Sequence, residues 1–292
     1  MAVYKVTAGQ NIWDVAIQCC GTIEGVFDLL ICNPKLSMIT DLTPGMELEY
    51  HDYFVIKKDV VSSLRSENIT PSNGERHVYY KHTDEPLVFI CKVSPDQHSL
   101  DFSISGSGEM IVDWGDNTPM ETIKLGNKLV RVLHYFDNMV DERRVKIYGQ
   151  FNVLTLDTTM LNGELFTVRP VVVDEFVSKS NNNSLKGLFL FDGMVKADLS
   201  GMTISDLSSL CHHMNLQELN LSDVQFTEID VLDSYLVSIV ENYSNRRNCT
   251  VYLSVEPTEK GMAAIQTIIN EPEWNEAGKW KFIINDIEYT QD

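Results

Sequence analysis

Two stretches of this chain repeat each other at an offset of 22 residues: Val195-Lys-Ala-Asp198-Leu199-Ser200-Gly201 and Gln217-Glu-Leu219-Asn220-Leu221-Ser222-Asp223. A unit that short cannot bury its apolar face alone, so copies must stack and share a core. Val153-Leu-Thr-Leu156-Asp157-Thr158 is a weaker earlier copy, and Thr250-Val-Tyr-Leu253-Ser254 a later one. Residues 151–292 are therefore expected to form a short α/β solenoid. Its final unit is longer. Pro257-Thr258 predicts the start of a helix with Met262, Ile265, Ile268 and Ile269 inward, and Trp280 to Ile284 reads as a closing strand, together a cap.

Across residues 76–150 the apolar period changes to two. Leu87 to Val93, Leu100 to Ile104, Glu109 to Trp114, Glu121 to Lys124, Leu129 to Phe136 and Arg143 to Gly149 read as strands. Met110, Val112 and Trp114 would face one side, with Gly115-Asp116-Asn117 turning the chain after them. Six or more short strands in roughly seventy residues predict a β-sandwich.

The first 52 residues predict a small β-α-α-β unit. Val3 to Val6 are extended, and Ile12, Val15, Ala16 and Cys19 make one helical stripe. Gly21 stops that helix, and Thr22 is placed to cap a second one striped by Ile23, Val26, Phe27 and Leu30. Asn33-Pro34 ends the second helix and Pro44-Gly45 turns the chain into a strand over Met46 to Tyr50. Over residues 53–75, Tyr53 to Ile56 predicts an extra strand and Ser66 to Glu75 a linker. The fold class expected is α+β and multidomain.

Charge and export narrow the partners. With 23 basic against 42 acidic residues the net charge is -19, which argues against nucleic acid and membrane surfaces, since both favour Lys/Arg patches. No run reaches the roughly eighteen apolar residues of a membrane span. Met1-Ala-Val-Tyr-Lys5 is not a secretory start, so the product is expected to be made in the cytoplasm without a signal peptide. The six cysteines (Cys19, Cys20, Cys32, Cys91, Cys211, Cys249) show neither disulfide nor zinc spacing and are expected to be free thiols.

Three resemblances follow from these residues. Tyr4-x-Val6-x-x-Gly9-x-x-x-Trp13, then Asn33-Pro34, then Pro44-Gly45-x-x-Leu48, resembles the LysM family over about the first fifty residues. It looks closer to the LysM-like proteins of phage and prophage tails, which share a Gly-x-x-x-Gly pair (Gly21 and Gly25 here) and a long run before the closing turn. Val112-Asp-Trp-Gly-Asp-Asn-Thr118 with His134-Tyr135 looks like the PKD-like sandwich, with Asn117 at the usual second glycine and His134 directly beside Tyr135. Leu216, Leu219 and Leu221 resemble the L-x-x-L-x-L of leucine-rich repeats.

Little in the sequence reads as chemistry. Cys211-His212-His213 crowds metal-ligand types, but no second ligand pair stands at a suitable spacing, so no metal is expected there. Asp113 and Asp116 are too few for calcium, and turn capping is preferred. Cys32 shows no histidine partner. Glu24 and Asp28, at i and i+4, read as a solvated acidic face, and Arg246-Arg247 as an exposed loop. No phosphate loop or serine elbow is present. No catalytic residue and no cofactor are expected.

Two functions from different classes remain. The resemblance implies a structural, non-enzymatic component of a phage or prophage tail, at the baseplate–tube junction, contacting other tail and baseplate proteins in a multi-copy assembly. The alternative is an envelope protein that binds peptidoglycan or a host surface. In wall-binding LysM modules, glycan lies between the first strand–helix loop and the segment after the second helix. By motif position those edges are Thr7, Ala8, Gly9 and Gln10, and Leu30, Ile31, Cys32, Asn33 and Pro34, read here as docking edges or a glycan groove. The missing export signal favours virion assembly.

Overall fold

A computed structural model describes residues 1–72, 81–137, 140, 142–179, 185–243 and 246–291. The expected linker at Ser66 to Glu75 lies outside the described residues from position 73 onward.

The chain opens with β1 (Ala2–Lys5), which pairs antiparallel with β2 (Glu47–Tyr50), Tyr4 opposite Leu48. Between them, α1 (Ile12–Cys20) begins at Asn11. The Asn11 carboxamide oxygen accepts from the amides of Trp13 and Asp14 at 2.9 and 3.0 Å, and the Asp14 carboxylate accepts from the Asn11 amide at 2.9 Å. Such a reciprocal cap satisfies helix-end donors and is worth about 1 kcal/mol. Ile12, Val15, Ala16 and Cys19 are buried, as their spacing predicts. Gly21 ends α1 in the left-handed region at φ 77°.

The second helix departs from expectation. Ile23–Gly25 forms a 3-10 turn, and α2 (Val26–Cys32) starts only after it. The tighter winding rotates the register, so Val26 and Leu29 point inward while Ile23 and Phe27 are exposed. Thr22 makes no side-chain bond to the backbone; its hydroxyl bonds Glu24 instead. Tyr53 to Ile56 is no strand either. It is a turn leading to α3 (Lys58–Ser66), which packs beside α1 and buries Val61. The Ile56 and Lys57 amides donate to the Cys20 carbonyl at 3.0 and 3.1 Å, which uses a free acceptor at the end of α1 and leaves no strand partner.

The next part is a two-layer antiparallel body. Its strands are β3 (Leu87–Val93), β4 (Ser99–Ser107), β5 (Glu109–Asp113), β6 (Glu121–Lys124), β7 (Val130–Tyr135), β8 (Arg143–Gly149), β9 (Asn152–Asp157) and β10 (Gly163–Thr167). One sheet has the order β10-β3-β8-β5-β6. Met110, Val112, Trp114, Val145 and Ile147 fill its inner face, as period two predicts.

The remainder comprises β11 (Val171–Val177), β12 (Phe191–Asp192), β13 (Lys196–Asp198), β14 (Thr203–Ile204), β15 (Glu218–Leu221), β16 (Gln225–Phe226), α4 (Asp230–Glu241), β17 (Thr250–Leu253), α5 (Glu259–Asn270), β18 (Lys281–Ile284) and β19 (Ile287–Thr290). The second sheet runs β19-β18-β17-β15-β13-β11-β9-β4-β7, with β12 beside β11. From β9 to β18 the ladder is parallel, and Leu156, Phe176, Ala197, Leu219, Val251 and Phe282 stand side by side in one buried column. Lys196 pairs with Glu218, so the register is the 22-residue offset itself. Asp157, Asp198 and Asn220 each accept from the amide two residues on, at 2.9–3.0 Å, which turns the chain out of the ladder at the same place in each copy. The last two crossovers of the ladder are the α-helical ones, α4 between β15 and β17 and α5 between β17 and β18, and β19 folds back on β18.

β9 belongs to both regions: it pairs antiparallel with β4 on one edge and parallel with β11 on the other. One buried cluster accordingly runs from Val88 to Ile284, while a second, smaller one fills the N-terminal unit. The boundary expected at 150/151 is thus no break in the core.

Candidate functional site

Loop 7–10 is built around one carboxamide. Gln10 is buried, and its Oε1 accepts from the Tyr4 hydroxyl and the Thr7 amide, both at 2.9 Å. Gly9, at φ 75°, supplies the left-handed turn that brings Gln10 back to Thr7. The chain then returns over this loop. Gln10 Nε2 donates to the Pro71 carbonyl at 3.0 Å, and Ser72 Oγ donates to the Ala8 carbonyl at 3.3 Å. Ala8 is buried beneath it.

The other expected edge lies elsewhere. Asn33 clasps α2 to β2, donating from Nδ2 to the Leu29 and Glu49 carbonyls at 2.8 Å and accepting from the Glu49 amide at 3.0 Å. Leu30 packs against the small core, whereas Ile31 and Pro34 are exposed. Cys32, Asn33 and Pro34 line an open cleft of about 450 Å³ with Val3, Lys35, Leu36 and residues 46–49. None of Thr7, Ala8, Gly9 or Gln10 lines that cleft, so the two edges do not form a common groove.

Cys32 does have a histidine neighbour, contrary to expectation. His51 Nδ1 lies 3.4 Å from Cys32 Sγ and 2.7 Å from Asp28 Oδ1, and the His51 amide donates to Asp28 Oδ2 at 2.8 Å. Asp28 is therefore buried and paired rather than part of a solvated acidic face with Glu24. Both contacts use the same ring nitrogen. A nucleophile–base–acid relay needs the thiol and the carboxylate on opposite nitrogens, so this trio is not arranged for nucleophilic catalysis. Burial, then the Asp28 and Glu49 carboxylates, push the Cys32 thiol up from its ordinary pKa.

The Asp113–Asp116 turn is capped by the protein itself. Asp116 Oδ1 accepts from the Thr118 amide and hydroxyl at 3.0 and 2.5 Å; its Oδ2 meets His134 Nε2 at 2.8 Å. Lys81 Nζ stands 2.6 Å from Asp113 Oδ1, the place a cation would take. Trp114 stacks on His134 with ring centroids 4.2 Å apart, and its indole N–H donates to Glu121 at 3.0 Å. Gly115, not Asn117, takes the positive φ, which is why asparagine fits at 117.

Cys211, His212 and His213 point apart. His213 is buried, His212 exposed, and Cys211 Sγ accepts from Ser238 Oγ at 2.9 Å. Arg246 is buried rather than in an exposed loop, donating to the Cys211 and His213 carbonyls at 2.6 and 3.5 Å. All six cysteines are unpaired.

Among the described residues no single helix is long and apolar enough to cross a membrane. The two N-terminal helical stretches pass that test only together; they are bent by 105° at their break and share the small core. Comparison with family models, with curated proteins and with solved structures gives no match to this chain.

Proposed function

We propose that the chain is a structural, non-enzymatic component of a phage or prophage tail, acting through protein–protein contacts at the baseplate–tube junction. The observation that carries this reading is the return of Pro71 and Ser72 over loop 7–10, which occupies the first edge a glycan would need. What the N-terminal unit offers instead is an apolar outer face. Ile23, Phe27 and Ile31, four residues apart, are 51%, 58% and 72% exposed along the second helical stretch, and Tyr53 is 78% exposed. Exposed apolar residues so placed are suited to a protein partner, and their burial would contribute roughly 1.5–3 kcal/mol per large side chain. The likeness of residues 4–48 to tail LysM-like modules supplies the kind of assembly. The sandwich and the parallel ladder, which we read as PKD-like and leucine-rich-repeat-like, add contact surface behind it.

Peptidoglycan binding is the second reading, favoured by the open cleft beside Asn33 and Pro34. Sedimentation with purified cell wall separates the two. Salt-insensitive retention of the full chain supports wall binding and counts against assembly. In the assembly reading, Phe27→Glu and Ile31→Glu lower incorporation into particles by tenfold or more and leave wall retention at background.

A further inference from the structure

Asp28 and Cys32 stand one helical turn apart on α2, so their side chains leave the same face. His51, just past β2, closes over both. Its Nδ1, the Asp28 carboxylate oxygen and the Cys32 sulfur all lie within 4.8 Å of one another. Zinc bonds of about 2.3 Å to sulfur and about 2.0–2.2 Å to nitrogen or oxygen, at tetrahedral angles, set ligand atoms roughly 3.2–3.7 Å apart. The sulfur–nitrogen separation of 3.4 Å is already in that range, and the oxygen–nitrogen separation of 2.7 Å has to open by roughly half an ångström. Asp28 Oδ2, bound to the His51 amide, fixes the carboxylate's orientation as an outer hydrogen bond does in metal sites. Cys32 also borders the cleft, so water can reach a fourth position.

We propose that Asp28, Cys32 and His51 form a binding site for a zinc-type divalent cation, with the fourth position open to the cleft. One sulfur, one imidazole and one carboxylate suit zinc or cobalt and not calcium or magnesium, which take oxygen ligands. The cation replaces the Asp28–His51 hydrogen bond; the Cys32 thiol proton leaves to solvent, and the ring proton of neutral His51 passes by way of solvent from Nδ1 to Nε2, which frees Nδ1 to ligate. The site ties the second helix to the closing strand of the N-terminal unit. It does not depend on the tail reading, and either can fail alone.

The test is titration of the full, chelator-treated chain with cobalt(II). The expected result is saturation with a sulfur-to-cobalt charge-transfer band in the near ultraviolet. That band disappears and affinity falls by at least about tenfold in Cys32→Ser and in His51→Asn, while Cys211→Ser behaves as the parent. Absence of the band, or its persistence in Cys32→Ser, overturns the proposal. Alkylation mapping of the parent chain covers a variant that fails to fold. Zinc should slow modification of Cys32 at least tenfold, and an equal rate with and without zinc overturns the site.

Discussion

His213 is held neutral in the fold because burial depresses its pKa from 6.5 to about 4. Between those values the unfolded chain takes up a proton that the folded chain refuses. Stability is therefore complete above pH 6.5 and falls as the pH drops toward 4, by roughly 3 kcal/mol. Asp116 acts in a lower window. Burial alone would raise its pKa, but the bonds from His134 and Thr118 outweigh it and hold the carboxyl at about 2. Its folded value is the lower one, so its contribution, roughly 2 kcal/mol, is present above about pH 4 and is lost as the pH falls toward 2. Urea midpoints measured from pH 7.5 to 2.5 check both. His213→Asn should flatten the upper window, and Asp116→Asn the lower one while costing roughly 2 kcal/mol at neutral pH. The turn role of Asp116 was legible from Trp-Gly-Asp-Asn-Thr, because a short acidic side chain before Thr118 caps locally. The burial of Asp28 was not. Its partner His51 is 23 residues away, and no local pattern separates Asp28 from the exposed Glu24 beside it.

At the scale of elements, close backbone approach decides what the chain tolerates. Gly106 sits at the irregularity where β4 meets β9, and a Cβ there would come within 2.1 Å of the Asn152 carbonyl oxygen. Gly106→Ala must push the two strands apart, and we expect a loss of roughly 1–3 kcal/mol in chemical denaturation with the far-ultraviolet spectrum retained. Gly126, with open space around its Cβ position, is the control: Gly126→Ala should change stability by less than about 0.5 kcal/mol. Strands were legible wherever period two ran unbroken, as in Glu109 to Asp113. The second helix was misread because its first three residues wind as a 3-10 turn, which moves Ile23 and Phe27 off the core without altering their spacing. Tyr53 to Ile56 carried strand propensity but had no edge to pair with, and hydrogen bonds to Cys20 turned it instead. α4 has no breaker at its start and a moderate apolar stripe, so it stayed hidden inside the longer repeat.

For the whole molecule, two cores predict two transitions. The large cluster from Val88 to Ile284 should unfold as one cooperative unit, separately from the N-terminal unit with its much smaller core. A fragment of residues 76–150 lacks β9 and so leaves the long edge of β4 unpaired; we expect it to aggregate or remain unfolded, whereas residues 81–291 melt in a single transition by calorimetry. The 22-residue offset announced the ladder because register and repeat are the same quantity. That the ladder and the sandwich share a sheet was not legible, since pairing of β9 with β4 depends on strand order and leaves no periodic mark. The proposed function is tested most directly by quantitative mass spectrometry of tail particles purified from cells that express this chain. Assembly predicts the chain in a fixed ratio to the tube protein, lowered at least tenfold by Phe27→Glu. Its absence from intact particles, with the parent chain recovered on cell wall, would contradict the account.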